Sequence, residues 1–203
     1  MRKTLSTVLI FTILLFFGGA YPRTSYADAT ITTTAGTVEF IGYGYSDSQV
    51  ASAQSFLTTQ AGTISSVLIN TKKNGSPTGT LTVGIQTNVS GAPSNTFLNS
   101  GTKNIADLTT SCADYTITFA APVTVTDATT YWIVKSPNNT RDQVNYLGGC
   151  GAAVGNPYAS GNEAYSNTTP TWTNETNSDW RISLTINDVA TAAVKVPDII
   201  IFD

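Results

Sequence analysis

The sequence predicts an all-β protein: a two-layer antiparallel β-sandwich, jelly-roll-like, preceded by a signal peptide. Three observations carry that reading. Apolar residues alternate with polar ones at Leu81, Val83 and Ile85, at Tyr115, Ile117 and Phe119, and at Trp180, Ile182, Leu184 and Ile186. A period of two sends one set of side chains to each face of a strand. Clusters of Gly, Pro, Asn, Asp and Ser separate these segments, and no stretch beyond residue 27 shows a helical repeat.

The first 27 residues differ in kind from the rest. Arg2 and Lys3 precede the apolar run Leu5–Ala20, and Ser25-Tyr26-Ala27 places small residues where a signal peptidase cuts. Residues 1–27 therefore read as a secretory signal cleaved after Ala27. The alternative is an uncleaved anchor, although the run is short of the roughly 20 apolar residues a membrane span needs. Residues 28–188 form the predicted sandwich domain, and 189–203 an apolar C-terminal tail.

After Ala27 the chain holds seven basic and thirteen acidic residues, a net charge of −6. No basic patch is present, and a phosphate backbone would be repelled, so nucleic acid is not an expected partner. Thr occurs 31 times in this part. Being β-branched yet able to face water, it suits the exposed side of a pleated sheet.

Taken in order, Asp28–Thr34 reads as a flexible lead or an edge strand, and Val38–Ile41 as a first strand. Gly42–Tyr45 is a bend, and Ala53–Thr58 a second strand. Thr63–Lys72 and Thr80–Val89 flank Asn74-Gly75-Ser76-Pro77, whose turn chemistry predicts a hairpin between them. Phe97-Leu98 is expected to tuck under the sheet. Ala106–Cys112 is irregular, Tyr115–Phe119 is a strand, and Pro122–Thr126 is a further short one before the turn at Asp127-Ala128-Thr129. Thr130–Lys135 is apolar on both faces, as expected of a central strand covered on each side. Val144–Leu147 is another strand. Gly148–Tyr165 reads as a long loop, and Trp180–Ile186 as the last strand. Jelly-roll and immunoglobulin-like topologies both fit this pattern.

Cys112 and Cys150 are the only cysteines. In an exported chain they are expected to form one disulfide, worth roughly 3–4 kcal/mol on the chain-entropy estimate. A metal site is the alternative, and it would have no histidine, since the chain contains none.

The absence of His also removes Ser-His-Asp, Cys-His and His-zinc chemistry. Glycoside hydrolysis needs only two facing carboxylates, yet Glu39, Glu163 and Glu175 sit beside no motif, and most Asp residues fall in turns. The expectation is a protein that is not an enzyme and needs no cofactor. A structural calcium is compatible with loop Asp and Asn oxygens, but no D-x-D-x-D run names its ligands.

Aromatic residues give the candidate binding site. Tyr158, Tyr165 and Trp172 lie in Asn-rich sequence, and planar rings cover the C–H face of a sugar while amides align its hydroxyls. The competing reading is a small core beneath the long loop. Trp132 and Trp180, in phase with aliphatic neighbours, read as core. The expected partner is a polysaccharide or cell-surface ligand. The tail, ending Ile199-Ile200-Ile201-Phe202, adds self-association through a C-terminal strand as a second expectation.

The segments QSF, GTISSVLINTKKNGSPTGTLTVGIQ, SGAPSNT, YTITFAAPVTVTDATTYWIV, NPYASGNEAYSN, PTW and DWRISLTIN, between Gln54 and Asn187, resemble the choice-of-anchor type of exported bacterial β-sandwich domain. Lys73–Leu81, with its SPTG turn, and Thr129–Val134 are the most specific pieces. That family is similar to carbohydrate-binding jelly rolls. The resemblance implies a non-catalytic, secreted or cell-surface module, or a structural or adhesive subunit of an extracellular assembly.

Overall fold

The computed structural model describes residues 27–33, 38–40, 50–138, 142, 144–152, 155, 158–168 and 171–188. Residues 1–26 of the expected signal, the bend at Gly42–Tyr45 and the tail 189–203 lie outside the described residues. The strands are β1 (Ala29–Thr32), β2 (Val38–Phe40), β3 (Ala51–Leu57), β4 (Gly62–Asn74), β5 (Thr80–Val89) and β6 (Ala92–Asn104). They continue with β7 (Ala113–Val125), β8 (Thr130–Asn138), β9 (Tyr146–Ala152), β10 (Glu163–Thr168), β11 (Thr171–Glu175), β12 (Asp179–Trp180) and β13 (Ile182–Ile186). One 3-10 turn, Ile105–Asp107, separates β6 from β7.

Two antiparallel sheets stack to give the all-β sandwich. The seven-stranded sheet runs β1-β13-β4-β9-β12, with β2 on β9 and β7 on β4; the six-stranded sheet runs β11-β10-β3-β8-β5-β6. The main core lies between them. Ile64, Val67, Ile69, Ile117, Ile182 and Leu184 project from one sheet and Phe56, Leu81, Val83, Ile85, Tyr131 and Ile133 from the other. These are the alternating positions of the sequence, and their burial is the main favourable term in folding.

Several elements differ from the sequence-based expectation. β4 and β5 do not pair as a hairpin: they belong to opposite sheets. The Asn-Gly turn reverses the chain, but its groups bond elsewhere. Asn74 Nδ2 donates to the Val144 carbonyl at 3.1 Å, Ser76 N–H to Asn145 Oδ1 at 2.8 Å, and the Gly79 carbonyl accepts from Ile105 N–H. The apolar faces of β4 and β5 then meet across the core, where both are covered. Tyr115–Phe119 and Pro122–Thr126 are one strand, β7, with an irregular register between Ile64 and Ser66 of β4 that leaves Pro122, which has no N–H, outside the ladder. Asp28–Thr34 contains the edge strand β1, and Trp180–Ile186 is broken at Arg181 into β12 and β13.

Gly148–Tyr165 is not one long loop. Its start belongs to β9, with Cys150 fully buried, and its end to β10. Glycine is needed here because the stem of Lys72 crosses β9: a Cβ on Gly148 would lie 2.9 Å from Lys72 Cγ. Phe97 and Leu98 sit in β6, Phe97 half-buried and Leu98 exposed. Further along, β6 presses on β7 of the other sheet, where a Cβ on Gly101 would strike the Thr118 carbonyl and lie 2.9 Å from Ile117 Cγ2.

Cys112 and Cys150 are disulfide-bonded, as expected. Thr71 of β4 pairs with Ala113 on β7 and with Gly149 on β9, so the bridge joins the two strands that flank β4 at that point. With the cysteines 38 positions apart, replacing both by Ser should lower unfolding free energy by about 3–4 kcal/mol. Urea titration of the double variant against the parent reads this directly, and an unchanged midpoint would refute it.

Candidate functional site

The six-stranded sheet has a second apolar cluster on the face turned away from the main core. Along β8, Tyr131, Ile133 and Lys135 face the seven-stranded sheet while Trp132 and Val134 face outward. Ala53 of β3 and Ala164 of β10 join these two, and half-buried Phe97 and Trp172 pack on the group. The sheet curls enough for its two ends to meet. Trp172 Nε1 on β11 donates to Asn95 Oδ1 on β6 at 2.8 Å, and Asn174 Nδ2 donates to the Gly91 carbonyl at 3.0 Å. Trp132 Nε1 donates to Asn88 Oδ1 at 2.8 Å. Both indoles are thereby fixed by asparagines of the β5–β6 hairpin.

Two oxygens on this outer face, Gln86 Oε1 beside Trp132 and Ser166 Oγ beyond Ala164, are buried and have no hydrogen-bond partner among the described residues. Enclosed oxygens of this kind carry a desolvation cost unless an internal water supplies a donor. The hairpin also leaves Val89 and Leu98 exposed, at 56% and 46%.

The three predicted aromatics take three different positions. Trp172 lies on the outer face of β11, a strand rather than a loop. Tyr165, on β10, pairs with Thr173 and Ser52, which puts it on the opposite face from Trp172. Tyr158 precedes β10 and packs half-buried against the main core. Its hydroxyl accepts from Leu57 N–H at 3.1 Å, and its own N–H donates to Asp179 Oδ2 at 2.9 Å. Burial raises its hydroxyl above the ordinary tyrosine range. The three do not share one groove; Trp172 groups instead with Phe97 and Asn95, which the sequence reading did not select. The signal available was weak, an Asn-rich hairpin with one aromatic residue.

A polar network missed at the sequence level lies inside the sandwich, near Trp180. Lys135 is fully buried, with its Nζ 3.2 Å from the centroid of the Trp180 ring. Gln54, also buried, donates through Nε2 to Asp179 Oδ1 at 2.8 Å and accepts at Oε1 from Trp180 N–H at 2.8 Å. Burial pushes the Lys135 amine down to about 7, opposed in part by Glu163. Burial likewise raises the carboxyl groups of Glu163 and Asp179, against hydrogen bonds to Ser178 and Trp180 for the first and to Tyr158 and Gln54 for the second. Cation–π attraction offsets part of the cost of burying the amine. Lys135 and Asp179 are both fully enclosed.

Among the described residues no three Cys, Asp or Glu side chains gather as a metal site would require. Asp142 instead caps its own turn, accepting from the Asn145 side-chain amide at 3.0 Å and from the Asn145 and Val144 N–H groups at 2.6 and 2.7 Å; these bonds hold its carboxyl below the ordinary range.

The lysine gives stability a pH dependence. Its folded value near 7 lies below the unfolded 10.5. Within that window the unfolded chain carries the extra proton, so the penalty for burying the charge is complete below about pH 7 and is relieved as pH rises. The raised carboxyl groups act oppositely, losing stability as pH rises from their unfolded values through their folded ones. The unfolding midpoint in urea should therefore increase between about pH 7 and 9.5, an increase that Lys135→Met removes. Equal slopes for parent and variant would show that Lys135 is not the titrating group.

Comparison with known proteins finds no matching family model and no matching curated protein.

Proposed function

We propose that the chain is a secreted, non-catalytic β-sandwich module that binds carbohydrate or another surface ligand, at the corner where β11 meets the β5–β6 hairpin. The observation that carries this reading is the fixed, half-buried indole of Trp172. Its N–H is committed to Asn95, so the ring offers a plane whose orientation is set before a ligand arrives. Pre-organisation of this kind lowers the ordering cost of binding, and an aromatic plane suits the C–H face of a sugar. Phe97 adds a second ring on the same face, and Asn174 an amide beside it.

Export is supported by the basic–apolar–small pattern of residues 1–27 and by the disulfide, which suits an oxidising compartment. The non-catalytic reading is supported by the placement of the clustered ionisable groups, which lie in the sandwich interior. The alternative, an adhesive subunit assembling through its C-terminal strand, draws on residues 189–203, outside the described part of the chain.

Trp172→Ala should weaken retention in polysaccharide affinity gels about 10-fold, the worth of one stacking contact. Asn95→Ala, which frees the ring without removing it, should give a smaller loss. Retention by Trp172→Ala equal to the parent's, at matched thermal stability, would sink the proposed site.

A further inference from the structure

The distribution of charge over the six-stranded sheet is the reverse of that in an ordinary sandwich, where charged side chains take the solvent face and the core face is apolar. Its six strands contain four charged residues: Lys103, Lys135, Glu163 and Glu175. All four lie on the face toward the seven-stranded sheet. Lys135 sits over Trp180 and Lys103 over Tyr115, with Nζ 5.6 Å from the ring centroid. Glu163 pairs with Glu175 and with Gln54, which bonds Asp179 of the other sheet.

Among the described residues, the outer face of these strands carries none. Its positions are filled by Ala, Ser, Thr, Gly, Asn, Gln, Val, Leu, Pro, Phe and Trp. Along the chain, no ionisable side chain other than the tyrosine hydroxyl occurs from Asn74 to Thr102 or from Ala164 to Asn174, the two stretches that form the Trp172 corner. A face that bound a polyanion would need Lys or Arg, and one that bound a polycation would need Asp or Glu. With net charge −3 for the whole chain, long-range attraction does not favour a polyanion either.

We infer that the ligand of this face is an electrically neutral polysaccharide, recognised by ring stacking on Trp172 and Phe97 and by amide and hydroxyl hydrogen bonds alone. The inference rests on the binding corner proposed above and narrows it to one class of polymer. The two partnerless oxygens, Gln86 Oε1 and Ser166 Oγ, lie on the same face. Both are enclosed beneath it, so the amides that a sugar hydroxyl would meet are those of exposed Asn95 and Asn174.

The test is affinity electrophoresis of the purified protein and of Trp172→Ala. The neutral gels contain galactomannan, mixed-linkage β-glucan or arabinoxylan, and the charged gels polygalacturonate or chitosan. Retention on at least one neutral polymer is expected. It should change less than about twofold between roughly 0.05 and 0.5 M NaCl, because no screened charge pair contributes, and Trp172→Ala should lose it. Retention confined to polygalacturonate or chitosan, fading with salt and lost in Trp172→Ala, would overturn the neutral-ligand inference while leaving the corner in place. Retention equal in both proteins would remove the corner itself, and failure of the parent protein to bind any polymer would overturn both.

Discussion

Along β8 the side chains alternate between two faces, and both are buried: Tyr131, Ile133 and Lys135 on one side, Trp132 and Val134 on the other. A strand of this kind cannot stand at an edge or on a half-wet sheet, because either position would return an apolar set to water. The six-stranded sheet places β8 between β3 and β5 and covers it twice. The seven-stranded sheet supplies one cover. The other comes from the sheet's own margins, as β6 and β11 bring Phe97 and Trp172 over the outer face and meet at Asn95. The curl of the sheet, the second apolar cluster and the corner where a ligand would sit all follow from that requirement.

The same requirement accounts for the unusual interior. Lys135 ends the apolar run of β8 on the core-facing phase, where a positive charge has no water. Trp180 offers its ring face to the amine, and Glu163 lies near enough to counter part of the desolvation. Replacing such a group by an apolar one often leaves a fold equally or more stable, so the network is a tolerated cost rather than the source of cohesion. The main core between the sheets holds the molecule together. The network instead marks where the sandwich interior stops being purely apolar.

Much of this architecture was legible in the residues themselves. Strands such as β5 and β13 alternate cleanly, and the doubly apolar β8 could only be central. The lone cysteine pair could be assigned because no histidine competed for it. Other features were not legible, each for a physical reason. Asn74-Gly75-Ser76-Pro77 encodes a reversal but not the sheet that the next strand joins, so the crossover between β4 and β5 read as a hairpin. Gly148-Gly149-Cys150-Gly151 has little intrinsic preference for a strand; tertiary pairing with β2, β4 and β12 makes it one. Nothing in the residues beside Lys135 shows that its amine is buried, because the Trp180 ring that covers it lies in the other sheet. Trp172 was recognisable as a candidate, but its partners Phe97 and Asn95 come from a hairpin more than seventy residues earlier, a distance that no local pattern spans.

The bond between Cys112 and Cys150 also bears on how the domain would respond to being pulled. The covalent loop it closes contains β7 and β8 whole. Tension applied to the backbone on either side would pass through the two sulfurs and bypass the loop. Those two strands could then be displaced from their neighbours but never drawn out lengthwise, so the mechanical extension available to the chain excludes the central strand of the six-stranded sheet.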